Sequence, residues 1–195
     1  VRTETLILAF IAAVVLIVIA VGLGVWFAMR SRRSQKLREK FGPEYNYTMD
    51  IVGDRRTTEE TLKEREKRVT KLDIRALDEN ERSRYHGEWS KIQGSFVDDP
   101  SKSVGDANRL ITEVMIARGF PVADFDQRAA DLSVMYPDFV SNYRNAQAIA
   151  SKNQRNETST EELRQAMVYF HSLYEELLGT VEGKVVETKG KEVTK

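Results

Sequence analysis

The chain has 195 residues, with 30 basic and 30 acidic side chains, two histidines and no cysteine. That length holds one membrane segment and one modest soluble domain, and the lack of cysteine excludes disulfides, thiol nucleophiles and cysteine-ligated metals. The balanced charge hides a layout: residues 30–77 carry 14 basic and 9 acidic side chains, residues 78–179 carry 11 and 17, so the later domain lacks the basic face that nucleic acid demands.

Thr5 to Met29 is a run of 25 residues without a charge. At ~1.5 Å per residue such a helix exceeds a ~30 Å hydrocarbon core and spans it with some tilt. A cleaved signal peptide fits poorly, because its apolar region is ~7–15 residues, set between a basic stretch and a small-residue cleavage site. Here Glu4 offsets Arg2, and the run ends Ala28-Met29-Arg30. Val1 stands where an initiator methionine is usual, as a trimmed start or a literally translated alternative start codon gives. Residues 1–29 are expected to form a single-pass transmembrane anchor. Six basic residues follow, Arg30, Arg32, Arg33, Lys36, Arg38 and Lys40, against one acid, Glu39. Such loops stay cytoplasmic, which predicts an outward N-terminus and a cytoplasmic C-terminal domain at a bacterial inner membrane. Trp26 and Phe27 fall where an interfacial aromatic belt lies. Arg30, Arg32, Arg33 and Lys36 fall at headgroup level, as a stop-transfer signal or as contacts to anionic lipid. Ala9/Ala13 and Ala20/Gly24 have the small-xxx-small spacing that admits close approach of a second copy, hence a homo-oligomer.

Residues 30–77 read as basic juxtamembrane and charged linker helices. The first helix continues past Arg30 towards Phe41, where Gly42-Pro43 interrupts it. A short helix from Pro43 to Val52 ends at Gly53. A charged helix follows to about Leu72, with Thr57 and Glu60 spaced as a capping box. Its apolar positions Leu62, Val69, Leu72 and Ala76 approach heptad spacing, but Arg65 occupies the missing seam position. That break favours a solvated linker over a coiled coil.

From Asp78 to Gly179 the pattern is that of a four-to-five-helix bundle, and the expected fold is all-α. Asp78 with Glu81 caps a helix bearing the stripe Tyr85, Trp89, Ile92 and Phe96. Asp99 and Pro100 start the next, with Val104, Ala107, Ile111, Val114 and Ala117 inward and Gly119 and Pro121 as the stop. Asp124 with Gln127 caps a short helix bearing Phe125, Ala129, Leu132 and Val134. Pro137 opens another, with Phe139, Tyr143, Ala146 and Ala150 on one side. After a polar loop, Ser159 with Glu162 begins a last helix, Leu163, Met167, Phe170, Tyr174 and Leu177, which Gly179 ends. Residues 180–195 have the small and charged composition of a disordered tail.

Six runs carry a family resemblance: Leu37-Arg38-Glu39-Lys40-Phe41-Gly42-Pro43-Glu44-Tyr45, Gly53-Asp54-Arg55-Arg56, Phe96-Val97-Asp98-Asp99-Pro100, Arg118-Gly119-Phe120-Pro121, the stretch from Asp124 to Val134, and Leu163-Arg164-Gln165-Ala166-Met167. Through them the chain from Leu37 to Gly179 resembles a family of uncharacterised bacterial proteins that join an N-terminal membrane anchor to a helical domain. The resemblance implies this architecture and no particular activity. Relatives carry histidine where this chain has Tyr136 and Gln147, so a histidine site there is not expected.

No catalytic, cofactor or metal constellation emerges. His86 and His171 lack the two-histidine spacing of zinc sites and flank the predicted stripes. The acids Asp98, Asp99, Asp124, Asp126, Asp131 and Asp138 gather at the turns. Carboxylates so placed serve acid–base work or cation binding, yet Asp99 and Asp124 are spaced as caps, Asp138 follows Pro137 in a first helical turn, and Asp131 is three residues from Arg128, in reach of an ion pair. Arg128, Arg144 and Arg164 lie beside apolar stripes, either as a partner-binding face or with stems covering the core edge. The leading expectation is a membrane-anchored interaction or scaffold module with membrane lipid and an unidentified protein as partners. The rivals are an enzyme built on the acidic turns and a structural stalk.

Overall fold

The fold is known from a computed structural model, which describes residues 19, 21, 22, 32, 34–121 and 124–179. The expected anchor, with Trp26, Phe27, Arg30 and Arg33, lies outside the described residues except for 19, 21 and 22, and so does the expected tail. Among the described residues no helix is long and apolar enough to cross a membrane. The chain forms two units, 1–40 and 41–195. In the first, residues 34–40 are helical, and Arg32 and Lys36 are exposed.

The second unit is all-α in its described residues. Its helices are α1 Pro43–Val52, α2 Arg55–Val69, α3 Glu79–Ser95, α4 Pro100–Ala117, α5 Phe125–Met135, α6 Val140–Asn153 and α7 Thr160–Leu178. The pattern-derived starts hold where a cap is local. Asp78 accepts from the Glu81 amide and Ser159 from that of Glu162, each with the reciprocal bond of a capping box. Asp99 and Asp124 cap α4 and α5. Gly53 closes α1 at φ 76°, its amide on the Met49 carbonyl at 2.7 Å, a left-handed cap that suits glycine.

Two starts differ from expectation. The cap of α2 is Asp54, which accepts from the Thr57 amide at 2.8 Å and its hydroxyl at 2.7 Å. An ionised carboxylate at the N-cap is stabilised by the helix dipole, and these bonds hold Asp54 below its ordinary value, the Thr57 hydroxyl contributing most. Helix α6 begins at Val140, with residues 137–139 forming a turn on the end of α5, where the amides of Phe139 and Val140 reach the Tyr136 carbonyl. Asp138 therefore lies in that turn, outside the helix.

Helix α7 packs on α6 and α4, with α3 on α4 and α5 on α6. Their buried residues form one cluster that includes Tyr85, Trp89, Ile111, Leu132, Tyr143, Phe170 and Leu177. Phe96 and Phe139 are only partly buried at its edge. The expected solvated linker is corrected here. Helix α2 packs on α5 and α1 on α2 and α6, and Thr58, Leu62 and Val69 are buried. Few apolar side chains suffice because charged ones close the joint. The unit thus begins at Phe41 and includes a segment expected to link to it.

Between α2 and α3 the chain runs extended past the end of α4. The Arg75 amide donates to the Arg118 carbonyl at 2.9 Å. Gly119, at φ 94°, passes so close that a Cβ there would sit 2.3 Å from the Asp73 carbonyl oxygen. Glycine is required on both counts. Arg118 is fully buried, its Nε on the Arg75 carbonyl at 3.3 Å and its Nη1 on that of Leu177 at 2.8 Å.

Candidate functional site

The charged residues of α1 and α2 converge on two buried carboxylates. Glu44 takes Arg65 from α2 at 2.7 Å and both terminal nitrogens of Arg144 from α6, Nη2 at 2.9 Å. Asp131 on α5 accepts on Oδ1 from Arg68 Nε at 2.8 Å and Nη2 at 2.6 Å, and from Gln127 Nε2 at 3.0 Å. Its Oδ2 has no partner among the described residues. Paired guanidinium and carboxylate planes are among the strongest directional contacts available, and enclosing them holds the geometry at a desolvation cost. The Glu44 and Asp131 pairs therefore fix α1 and α2 on α5 and α6.

A cleft of about 320 Å³ opens between α2 and α5. Arg65 and Arg68 form one wall, already neutralised by Glu44 and Asp131. Glu64 stands on the same side, with Asp124, Asp126 and Gln127 opposite. Asp124 is committed to capping α5. Among the described residues no group of three or more metal-ligating side chains is placed to hold an ion. The cleft offers charge on both walls and, among the described residues, no aligned nucleophile and base.

The expected Asp131–Arg128 pair is corrected: Asp131 turns to Arg68, and Arg128 Nε donates to the Tyr143 hydroxyl at 3.3 Å. Burial pushes the Tyr143 phenol up and Arg128 draws it back. The three arginines expected as a partner face have separate surroundings. Arg144 is tied to Glu44 and lies 3.9 Å from the Tyr47 ring centre. Arg164 pairs with Glu161 on the exposed side of α7, at 2.6 Å. Arg128 faces Tyr143.

The histidines do come together, around an aromatic stack between α3 and α7. Trp89 lies on Tyr174 with ring centres 4.7 Å apart, and His171 is 5.2 Å from Trp89 on its own side. His86 Nδ1 is 3.3 Å from the Tyr174 hydroxyl, and His171 Nε2 is 3.3 Å from Glu175. Burial, then Glu175 and Glu88, push the Tyr174 phenol up, so it remains protonated. This is a packed seam with exposed imidazole edges. Tyr136 is buried with the Arg118 guanidinium 5.5 Å above its ring. Gln147 is half-buried on α6.

Sequence reading assigned no contact to Glu44, Arg65, Arg68 or Arg118: Arg65 entered only as a break in a heptad seam, and Glu44 and Arg118 only within the runs that carry the resemblance. Arg65 and Arg68 stand in a run of charges, which also marks a solvated face. Comparison with family models, with curated proteins and with solved structures gives no match.

Proposed function

We propose that this chain is a single-pass, membrane-tethered helical module that holds a protein partner, or a second copy of itself, at the cytoplasmic face of a bacterial membrane. One observation carries the reading: 25 uncharged residues, Thr5 to Met29, lead straight into six basic residues within 11 positions, and the folded unit begins at Phe41 directly after them. An anchor, a positive stop and a body then follow one another without a spacer. The resemblance of Leu37–Gly179 to anchored helical proteins of bacteria supports the same architecture. The stalk reading loses its support, because α2, its intended shaft, is joined to α5 by the Arg68–Asp131 pair.

Washing membranes with alkaline carbonate tests the tether, and the chain is expected in the pellet. Protease added outside spheroplasts should leave residues 41–179 intact, since positive loops remain inside; their digestion without lysis would reverse the orientation. Recruitment is tested by comparing proteins that co-purify in mild detergent with the full chain and with residues 1–40 alone. Identical sets would sink the role of the bundle.

A further inference from the structure

We infer, resting on the tether proposed above, that the outer face of α1 and the turn into α2 form a second, peripheral lipid contact, with Tyr47 and Ile51 entering the headgroup boundary of an anionic bilayer beside Arg55 and Arg56. Tyr47 and Ile51 are 42% and 66% exposed. Four residues apart, they share one face of the helix, while Glu44, Tyr45 and Thr48 are buried on the other. Tyrosine suits the membrane interface, with an apolar ring and a polar tip. This ring is held in place by Arg144, whose guanidinium lies 3.9 Å from its centre and is itself fixed on Glu44. A pre-fixed ring loses little conformational freedom on contact.

Arg55 and Arg56 open α2 just past the turn, with side chains 49% and 78% exposed. Each pairs with a glutamate one helical turn on, at 3.0 Å. The Arg56–Glu60 pair is exposed on both sides and weak, so phosphate oxygens at a bilayer surface can displace it, whereas Glu59 is only 14% exposed and holds Arg55 more firmly.

The chain itself indicates what covers this face. Pro43 is 14 residues beyond Met29, the last residue of the uncharged run. That stretch spans roughly 21 Å as helix and no more than about 50 Å extended, so a bilayer holding Thr5–Met29 is always within reach of α1. The basic excess lies beside the uncharged run, six basic side chains against one acid in residues 30–40, while on α1 and the turn Arg55 and Arg56 offset the exposed Asp50 and Asp54. The excess is complementary to anionic headgroups. Two exposed apolar side chains are too few for a protein interface, which buries more than about 1,000 Å², but enough for a shallow contact whose entropy the tether has already met.

Because the chain has no cysteine, one introduced thiol reports alone. Full-length Ile51→Cys, carrying an environment-sensitive fluorophore, is reconstituted into vesicles of phosphatidylcholine mixed equally with phosphatidylglycerol. Val97→Cys, at a site 87% exposed in the turn between α3 and α4, is the comparison. The expected result is blue-shifted emission at 51 in the mixed vesicles, less in phosphatidylcholine alone, and water-like emission at 97. Adding Arg55→Ser and Arg56→Ser should lower the ratio of contacting to free label about fivefold per arginine. Water-like emission at 51 on a chain that floats with the vesicles overturns the lipid surface and leaves the tether intact. A chain that fails to float overturns the tether. Emission at 51 in excess vesicles then decides the surface by itself, a blue shift supporting it and a water-like signal overturning it. A blue shift lost on dilution into excess lipid assigns the face to a second copy, and overturns the proposal.

Discussion

Helices α4, α6 and α7 place Ile111, Val114, Tyr143, Ala146, Phe170 and Leu173 in one closed apolar cluster, whereas α1 and α2 add to a few buried apolar side chains, Tyr45, Leu62 and Val69, two buried carboxylates and three arginines. The first kind of contact scales with area and has no preferred direction. The second depends on angles and on every partner being present, because a buried charge left alone is costly. The body should therefore give way as a whole, and the α1–α2 arm by itself.

The largest effect is expected in the body. Phe170→Ala should cost about 3–5 kcal/mol, seen as a lower denaturant midpoint for the entire unit with one cooperative transition. Glu44→Ala should cost about 3 kcal/mol, the low end for a broken buried pair, because Arg65 and Arg144 keep some contact with water. Its signature is local: amide exchange should quicken across 43–69 and stay unchanged in α7. Equal quickening in both would erase the distinction between arm and body. Gly119→Ala tests the seam where the chain from α2 passes the end of α4. With φ at 94° and the Asp73 carbonyl in the way, about 2–3 kcal/mol is expected, and exchange should rise first around Asp73 to Leu77. Asp131→Asn keeps an acceptor for Arg68 and removes the charge, so about 1–2 kcal/mol is expected, again confined to the arm.

The smallest effect is one of pH. Arg75, then the Asp78 amide, hold the Glu81 carboxyl at about 2 against an ordinary 4.5. A depressed carboxyl adds stability above its unfolded value and loses it as acid reaches its folded one. The contribution is thus complete above 4.5 and fades towards about 2. Acid titration followed by circular dichroism should show Glu81→Gln lacking this component, most clearly in α3. An unchanged acid profile would mean that the bond to Arg75 adds nothing in solution.

The same contrast separates what the sequence discloses from what it conceals. The capping boxes at Asp78 and Ser159 are legible because donor and acceptor lie three residues apart, and the stripe from Leu163 to Leu177 because helical period and burial coincide, as they do at Tyr85 and Trp89 before Ile92 and Phe96 reach the edge of the core. The arm has no such signature. Leu62 and Val69 stand among charges that resemble a solvated face, and Arg68 finds Asp131 across 63 residues of chain. Spacing alone proposed Arg128 as the partner of Asp131, since a neighbour three residues away is always plausible. The fold chose the more distant arginine because its guanidinium arrives with two donors on the same oxygen. Asp54 displaced Thr57 as a cap for a similar reason, an ionised acceptor against a hydroxyl. The cleft between α2 and α5 was illegible for the same cause: its walls exist only once the arm is in place.

Arg118 bears on the order in which this protein can take shape as it is made. Its side chain hydrogen-bonds carbonyls at Arg75 and Leu177 and closes over Tyr136, so it is enclosed by stretches from the first half, the middle and the end of the folded unit. A growing chain that has reached α6 has no acceptor yet at position 177, and burying a guanidinium early would leave it short of a bond. Closure of the core thus waits for the last turn of α7. A nascent chain stalled before that turn would hold its apolar stripes open, where chaperones and proteases would meet it first.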